Sequence, residues 1–157
     1  MRIKITIQQS WLIVPLLLLE ISSALTQSTP QIAFVDVTAK LGFDFEYQTD
    51  FSPERRLVET MGGGGTLLDF DGDGDLDLYL VQGADLDNLQ KDSKKRMHSP
   101  NRLYRNESGK HFVDVTKQAQ VGDNGYGLGA VSADYDGDGD VDIYVTNLGS
   151  NVLYQNN

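Results

Sequence analysis

The amino-acid sequence predicts an all-β fold made of repeated, four-stranded antiparallel units. Short apolar runs bounded by Gly, Asn and Asp are typical of strands, and no sustained helical periodicity follows residue 30. Three sequence words also recur in one order, which is typical of an array of similar supersecondary units. The chain has 157 residues, about the length of one domain.

Each word of the repeat occurs twice in the chain. The three pairs are GGGGTLLDFDGDGDLDLYLVQG (62–83) with YGLGAVSADYDGDGDVDIYVTNLG (126–149), NRLYRN (101–106) with NVLYQN (151–156), and FVDVT (34–38) with FVDVT (112–116). In the longest word Asp69 aligns with Asp134, which lies 65 residues later. This order of words divides the chain into similar structural units.

The apolar runs within these units predict the individual strands. The expected strands are Phe34–Val37, Thr66–Phe70, Leu76–Gln82, Arg102–Arg105, His111–Val115, Ala130–Ala133, Val141–Thr146 and Val152–Tyr154. The pattern of residues 115–119 allows a helical turn at most. Four strands per unit are therefore expected.

Radial repetition of four-stranded sheets is the architecture of a β-propeller. The sequence therefore predicts a partial β-propeller over residues 33–157, with one complete blade at about 62–116 and a partial blade on either side. Since a closed propeller needs about four blades, we expect this region to be a fragment of a longer ring.

The first 24 residues have the pattern of a secretory signal peptide. Arg2 and Lys4 precede the apolar run Trp11–Leu19, and the small residues 22–24 follow it. The run is too short to span a bilayer, which requires about 20 residues. We therefore expect a secreted, periplasmic or extracellular protein that is not inserted in a membrane after cleavage.

The charge balance argues against functions that need a basic surface. Lys and Arg number 13 against 23 Asp and Glu, which gives a net charge of −10. Cleavage after Ala24 would remove two basic residues and one acidic residue, changing the net charge from −10 to −11. Nucleic acid is therefore not an expected partner.

The absence of cysteine excludes disulfides, thiolate metal sites and a cysteine nucleophile.

Two nine-residue acidic loops are the most specific signal in the sequence. Each has aspartate at positions 1, 3, 5, 7 and 9. Neighbouring carboxylates repel each other by about 0.5–1 kcal/mol in water, and a hard cation with oxygen ligands would remove this repulsion. We predict two Ca²⁺ sites, formed by Asp69, Asp71, Asp73, Asp75 and Asp77 and by Asp134, Asp136, Asp138, Asp140 and Asp142.

The spacing predicts how each loop would surround its ion. The side chains at positions 1, 3 and 5 are expected to converge, glycine at position 6 to permit the sharp turn, and position 7 to contribute its carbonyl. The aspartate at position 9 completes the loop. An EF-hand requires an acid at position 12 and flanking helices, whereas these loops have Leu80 and Val145 there, within strand patterns.

These motifs resemble the FG-GAP/VCBS repeat of integrin α-like β-propellers. The words NRLYRN and FVDVT are similar to those of secreted VCBS-repeat proteins that often carry an ASPIC/UnbV module. The resemblance covers about residues 33–157. It implies one Ca²⁺ in a hairpin loop of each motif-bearing blade, and a role in cell adhesion or in binding an extracellular protein or glycan.

The remaining signals are weaker. Neither His98 nor His111 has a serine or an acid placed beside it in a recognisable catalytic pattern, so we expect no enzymatic activity. Residues 62–65 and 125–129 are rich in glycine but precede strands, so they favour close backbone packing over phosphate binding. Asn106 begins a glycosylation sequon, which matters only in a eukaryotic source.

The insertion Ala84–Pro100 contains Lys91 and the basic run 94–96. We interpret it as a solvated loop, with a partner-binding patch as the alternative. For the whole chain, the sequence predicts a secreted calcium-binding module with structural, adhesion or interaction roles. The alternative is the propeller portion of a larger extracellular enzyme whose catalytic domain is absent from this chain.

Overall fold

The computed structural model describes residues 32–49, 51–86 and 99–157. The predicted signal peptide and the basic part of the insertion, including His98, lie outside these residues. The chain divides into two compact units, Met1–Asp36 and Val37–Asn157. Only residues 32–36 of the first unit are described, and all strands of the described residues belong to the second unit.

In the described residues, seven strands form two antiparallel sheets. The four-stranded sheet has the order β1-β2-β3-β4, and the three-stranded sheet has the order β5-β6-β7. The strands are β1 Gly65–Leu68, β2 Asp77–Leu80, β3 Arg102–Asn106, β4 Phe112–Asp114, β5 Gly127–Ala133, β6 Asp142–Asn147 and β7 Val152–Tyr154. A 3₁₀ helix, Leu57–Thr60, precedes β1, and a short helix α1, Thr116–Ala119, connects the sheets. The predicted all-β class with antiparallel sheets is confirmed.

The predicted strand at Phe34–Val37 is wrong. These residues are in none of the strands of the described structure, although the identical word at 112–116 contains β4. In the second copy of the word, the N–H of Val115 donates to the carbonyl of Leu103, 2.9 Å away. Residues 34–37 belong to neither of the described sheets, and a strand forms only where a sheet ladder forms.

The core lies between the two sheets. Tyr79 of β2, Leu103 of β3 and Val145 of β6 are fully buried in one apolar cluster. The Tyr79 hydroxyl also donates a 2.8 Å hydrogen bond to the carbonyl of Val121, which follows α1. Burial of such side chains contributes about 1.5–3 kcal/mol each, so this cluster stabilises the contact between the sheets.

The segment 43–49 packs beside the four-stranded sheet. The Phe43 ring lies 5.4 Å from the ring of Tyr104 and 4.4 Å from that of Phe112, measured between centroids. The Tyr104 hydroxyl donates to Asp44 at 2.6 Å. This bond lowers the pKa of the Asp44 carboxyl, while burial and the same bond raise the pKa of Tyr104 to about 12. Aromatic packing and a charged hydrogen bond thus fix this segment.

The two glycine-rich segments allow the sheets to approach closely, as the sequence predicted. A Cβ on Gly64 would lie 2.8 Å from the Cα of Gly129, and a Cβ on Gly127 would overlap the side chain of Val81. By contrast, a Cβ on Gly62 would have no neighbour within 4 Å. Only some of these glycines are therefore required by packing.

We predict that Gly127→Ala destabilises the protein by about 1–3 kcal/mol, because the added methyl group forces Val81 or the backbone to move. Gly62→Ala is the matched control, with an expected change below about 0.5 kcal/mol. Urea unfolding of both variants measures the difference. Equal stability of the two variants would contradict the close packing at Gly127.

Candidate metal centre

Each acidic loop connects the first two strands of a sheet. Asp77 pairs with Leu68 at the base of the first loop, and Asp142 pairs with Ala133 at the base of the second. The two inner glycines of each loop have positive φ, with 73° at Gly72, 88° at Gly74, 80° at Gly137 and 103° at Gly139. Glycine adopts this conformation without steric cost, so the sequence specifies two similar tight turns.

The first loop brings three carboxylates together. Asp69, Asp71 and Asp77 each have one oxygen within 4.8 Å of the others. Asp77 is buried, Asp69 is half-buried and Asp71 is exposed. The cluster could hold a metal ion, and it opens to solvent on the side of Asp71.

Asp69 also organises the backbone of the first loop. Its carboxylate accepts N–H groups from Gly72 at 2.9 Å, Asp73 at 3.1 Å and Gly74 at 3.0 Å. These bonds satisfy backbone donors that have no partner in a sheet and curl the loop around the first aspartate. The aspartate at position 1 therefore shapes the loop and also belongs to the carboxylate cluster.

Asp77 connects the first loop to the neighbouring strand. It accepts the N–H of Phe70 at 3.0 Å and the N–H of Asn106 at 2.8 Å. Burial raises the pKa of the Asp77 carboxyl, the two N–H groups oppose this shift, and repulsion from Asp71 and Asp73 adds to it. These contacts position Asp77 independently of any bound ion.

The second loop has the same scaffold with a different cluster. Asp134 accepts the N–H groups of Gly137 at 2.7 Å and Gly139 at 3.1 Å. The three carboxylates with oxygens within 4.8 Å of one another are Asp134, Asp136 and Asp138. All three are exposed, so this cluster is more open to solvent than the first.

Asp142 corresponds to Asp77 but lies outside the carboxylate cluster of its loop. It accepts the N–H of Tyr135 at 3.0 Å and that of Asn156 at 2.8 Å. Asp136 also accepts a 2.6 Å hydrogen bond from the side-chain nitrogen of Gln155. The residues that follow β7 therefore contact the second loop at its positions 3 and 9.

The remaining aspartates of the predicted sites have other positions. Asp73 and Asp138 accept the N–H groups of Asp75 and Asp140 at 2.8 and 3.0 Å. The side chain of Asp73 is outside the first cluster, although positions 1, 3 and 5 converge in the second. The side chains of Asp75 and Asp140 belong to neither cluster, and the predicted carbonyl ligands at these positions stay predictions.

Asn106 and Asn156 have a role that the sequence did not predict. Each ends a copy of one repeated word, and its N–H donates to the buried aspartate of the loop. The side-chain nitrogen of Asn106 also donates to the carbonyl of Leu76 at 3.1 Å, and this is the atom to which a glycan would be attached. The sequence did contain a signal for this role, because both copies of the word, NRLYRN and NVLYQN, end in asparagine.

Two other expectations concern catalysis and membrane insertion. His111 is exposed immediately before β4, and the expected lack of enzymatic activity stays a prediction. Among the residues that the structure describes, no helix is long and apolar enough to cross a membrane.

Antiparallel sheets that each carry an aspartate-rich hairpin loop define a class of repeat β protein. Residues 69–145 match the family model of the FG-GAP-like repeat, from the first acidic loop into β6. This match supports the FG-GAP part of the predicted resemblance, whereas the ASPIC/UnbV association and the fragment status stay predictions. No curated protein and no solved structure gives a significant match to the chain.

We predict that Asp77→Ala reduces the free energy of unfolding by about 1–3 kcal/mol in the absence of metal, because the N–H groups of Phe70 and Asn106 lose their acceptor. Asp71→Ala is the matched control, since it removes an exposed carboxylate from the same cluster. Its stability in EDTA should be unchanged or slightly higher, because repulsion is relieved. Urea unfolding that ranks the two variants in the reverse order would contradict this role of Asp77.

Proposed function

We propose that this protein is a secreted, calcium-binding β-propeller repeat module with a structural, adhesion or extracellular interaction role and no catalysis of its own. The observation that carries the proposal is the recurrence of one nine-residue acidic loop in two hairpins, each with three converging carboxylates. The FG-GAP-like match, which includes both loops, supports the same function.

The donor set favours a hard cation such as Ca²⁺ over softer transition-metal ions. Both clusters offer only carboxylate oxygens, and hard cations prefer such ligands. Two oxygens bound to one Ca²⁺ at about 2.3–2.6 Å can be separated by at most about 5 Å. The oxygens of each cluster lie within 4.8 Å of one another, which satisfies this limit. Backbone carbonyls and water would complete a coordination number of about six to eight.

Calcium would contribute to stability as well as to charge balance. An ion at Asp69, Asp71 and Asp77 would join the loop to a residue that already bonds to β3. Two Ca²⁺ ions, with four positive charges, would change the net charge of the chain cleaved after Ala24 from −11 to −7. Extracellular modules bind Ca²⁺ with dissociation constants of about 10⁻⁴–10⁻³ M, so the occupancy of these sites would depend on the calcium concentration outside the cell.

An extracellular location supports the choice of partner. The signal-peptide pattern of residues 1–24 and the acidic composition favour an extracellular protein or glycan over nucleic acid. Calcium would act by holding the hairpins in one conformation, so that the surfaces beside them are ordered before a partner binds. Such preorganisation reduces the entropy cost of binding.

We predict that Ca²⁺ raises the melting temperature measured in EDTA. At a free concentration of ten times the dissociation constant, each occupied site should add about 1.4 kcal/mol to the free energy of unfolding. Differential scanning calorimetry in EDTA, and then with excess Ca²⁺, measures this shift. An equal concentration of Mg²⁺, which requires a more regular octahedral site, should produce a smaller one. A melting temperature that does not respond to Ca²⁺ would refute the metal site.

Single substitutions separate ligand side chains from neighbouring charges. Asp71→Asn and Asp136→Asn remove a carboxylate from the first and second cluster, so each should weaken Ca²⁺ binding at one site by about tenfold or more. Asp75→Asn and Asp140→Asn are the matched controls, because they remove the same charge from side chains outside the clusters. Isothermal titration calorimetry should show near-normal affinity for the controls. Equal losses in all four variants would indicate a nonspecific charge effect.

A further inference from the structure

We propose that Asn156 couples the two acidic loops, so that a disturbance of the second loop loosens the first. The backbone and the side chain of Asn156 bond to different loops, and they complete a continuous chain of hydrogen bonds between the two buried carboxylates, Asp142 and Asp77. All of these contacts lie within the unit Val37–Asn157. The coupling concerns the loops themselves, with or without a bound ion, and so goes beyond the proposed function.

The chain of hydrogen bonds begins at the second loop. The carboxylate of Asp142 accepts the N–H of Asn156 at 2.8 Å. The side-chain nitrogen of Asn156 donates to the carbonyl of Phe70, at position 2 of the first loop, at 2.7 Å. The N–H of Phe70 then donates to the carboxylate of Asp77 at 3.0 Å. Three hydrogen bonds of ordinary length therefore join one buried carboxylate to the other.

The equivalent residue of the first sheet, Asn106, makes both of its bonds to one loop. Its N–H donates to Asp77 at 2.8 Å, and its side-chain nitrogen donates to the carbonyl of Leu76 in the same loop at 3.1 Å. Asn106 and Asn156 end the two copies of one repeated word, and in both the N–H bonds to the buried aspartate. The side chain of Asn156 crosses to the other loop instead, which assigns the coupling to this side chain.

Position 2 of each loop is tethered to a buried carboxylate, and Asn156 connects these tethers. Asp142 accepts the N–H of Tyr135, at position 2 of the second loop, at 3.0 Å as well as that of Asn156. Hydrogen bonds in a partly buried chain polarise one another and gain strength from the reduced dielectric. A displacement of Asp142 therefore moves the backbone of Asn156 and weakens its bond to Phe70. Contiguous bonds of this kind can carry energetic coupling between two sites.

A second contact joins the same two hairpins without involving the buried carboxylates. The hydroxyl of Ser132 in β5 donates to the carbonyl of Leu67 in β1 at 3.1 Å. Because this bond joins two strands and does not pass through Asn156, it should hold the hairpins together when the Asn156 side chain is removed. A variant at Asn156 can therefore be compared with the native chain in the folded state.

The coupling has a consequence for calcium. If both loops bind an ion, an ion that fixes the second loop would also order the first, so occupancy of one site would raise the affinity of the other, and the effect would be reciprocal. This consequence rests on the proposed function, whereas the coupling itself is tested in EDTA. Failure to bind Ca²⁺ would therefore refute the proposed function and leave the coupling intact.

The test measures amide hydrogen exchange of the full chain in EDTA by NMR. The reporter is the N–H of Phe70, compared with that of Val81, which bonds to the carbonyl of Gly64 at 2.9 Å at the other end of the same hairpin. Asn156→Ala keeps the N–H that bonds to Asp142 but removes the bond to Phe70. The Phe70 N–H should then exchange about 2- to 10-fold faster relative to that of Val81. An unchanged ratio would overturn the proposal.

A disturbance placed in the second loop tests transmission to the first. Gly139 has a φ of 103°, and a Cβ there would have no neighbour within 4 Å, so Gly139→Ala strains the second loop without a steric clash. It should accelerate exchange at Phe70 relative to Val81 by about threefold or more. Gly149→Ala is the matched control, because Gly149 has a φ of 115°, is equally open and lies in the turn at the opposite end of β6. The control should leave the ratio unchanged.

Combining the variants identifies the route. With Asn156→Ala already present, Gly139→Ala should change the ratio by less than about 1.5-fold, because the connection is already broken. An equal Gly139→Ala effect with and without the Asn156 side chain would overturn the proposal. So would equal effects of Gly139→Ala and Gly149→Ala in the otherwise native chain. This last comparison needs no change at Asn156, so it decides the question even if the Asn156 variant does not fold.

Discussion

The buried carboxylate at the end of each acidic loop is the interaction on which the rest of the structure depends. Asp77 accepts backbone N–H groups from Phe70 and Asn106, and Asp142 makes the same pair of bonds in the second loop. An ionised carboxylate is costly to bury without such donors. Each buried carboxylate therefore joins its loop and hairpin to β3 in the first sheet or to the residue after β7 in the second, and the other carboxylates are positioned relative to it.

The two loops show that identical spacing does not produce identical clusters. In the first loop position 9 joins positions 1 and 3, whereas in the second loop position 5 does so. The neighbouring strands differ at one informative position. Gln155 bonds to Asp136, but its counterpart Arg105 bonds to Glu107 through Nε at 2.9 Å. Residues outside the loops thus contribute to where the loop carboxylates point, so two chemically similar sites can differ in affinity.

The sequence predicted the strands and the acidic loops because both are local patterns. It placed the end of β1 at Phe70 instead of Leu68, since the apolar character of Phe70 does not reveal that its N–H bonds to Asp77. The predicted strand at 34–37 failed for a related reason, because strand formation depends on a partner that a local pattern does not contain. The roles of Asn106 and Asn156 were missed since they act through backbone N–H groups, which every residue type but proline possesses.

In this protein, whether a residue is buried depends on the neighbouring sheet as well as on the residue type. Leu103 and Leu153 occupy the same position of the repeat, yet Leu103 is buried and Leu153 is exposed. Tyr79 and Tyr144 differ in the same way. In a repeat protein each unit contacts only its neighbours, and the stability is approximately the sum of unit and interface contributions. Tyr79 and Leu103 belong to the apolar cluster that includes residues of the three-stranded sheet, whereas Tyr144 and Leu153 do not, and this accounts for the difference in burial.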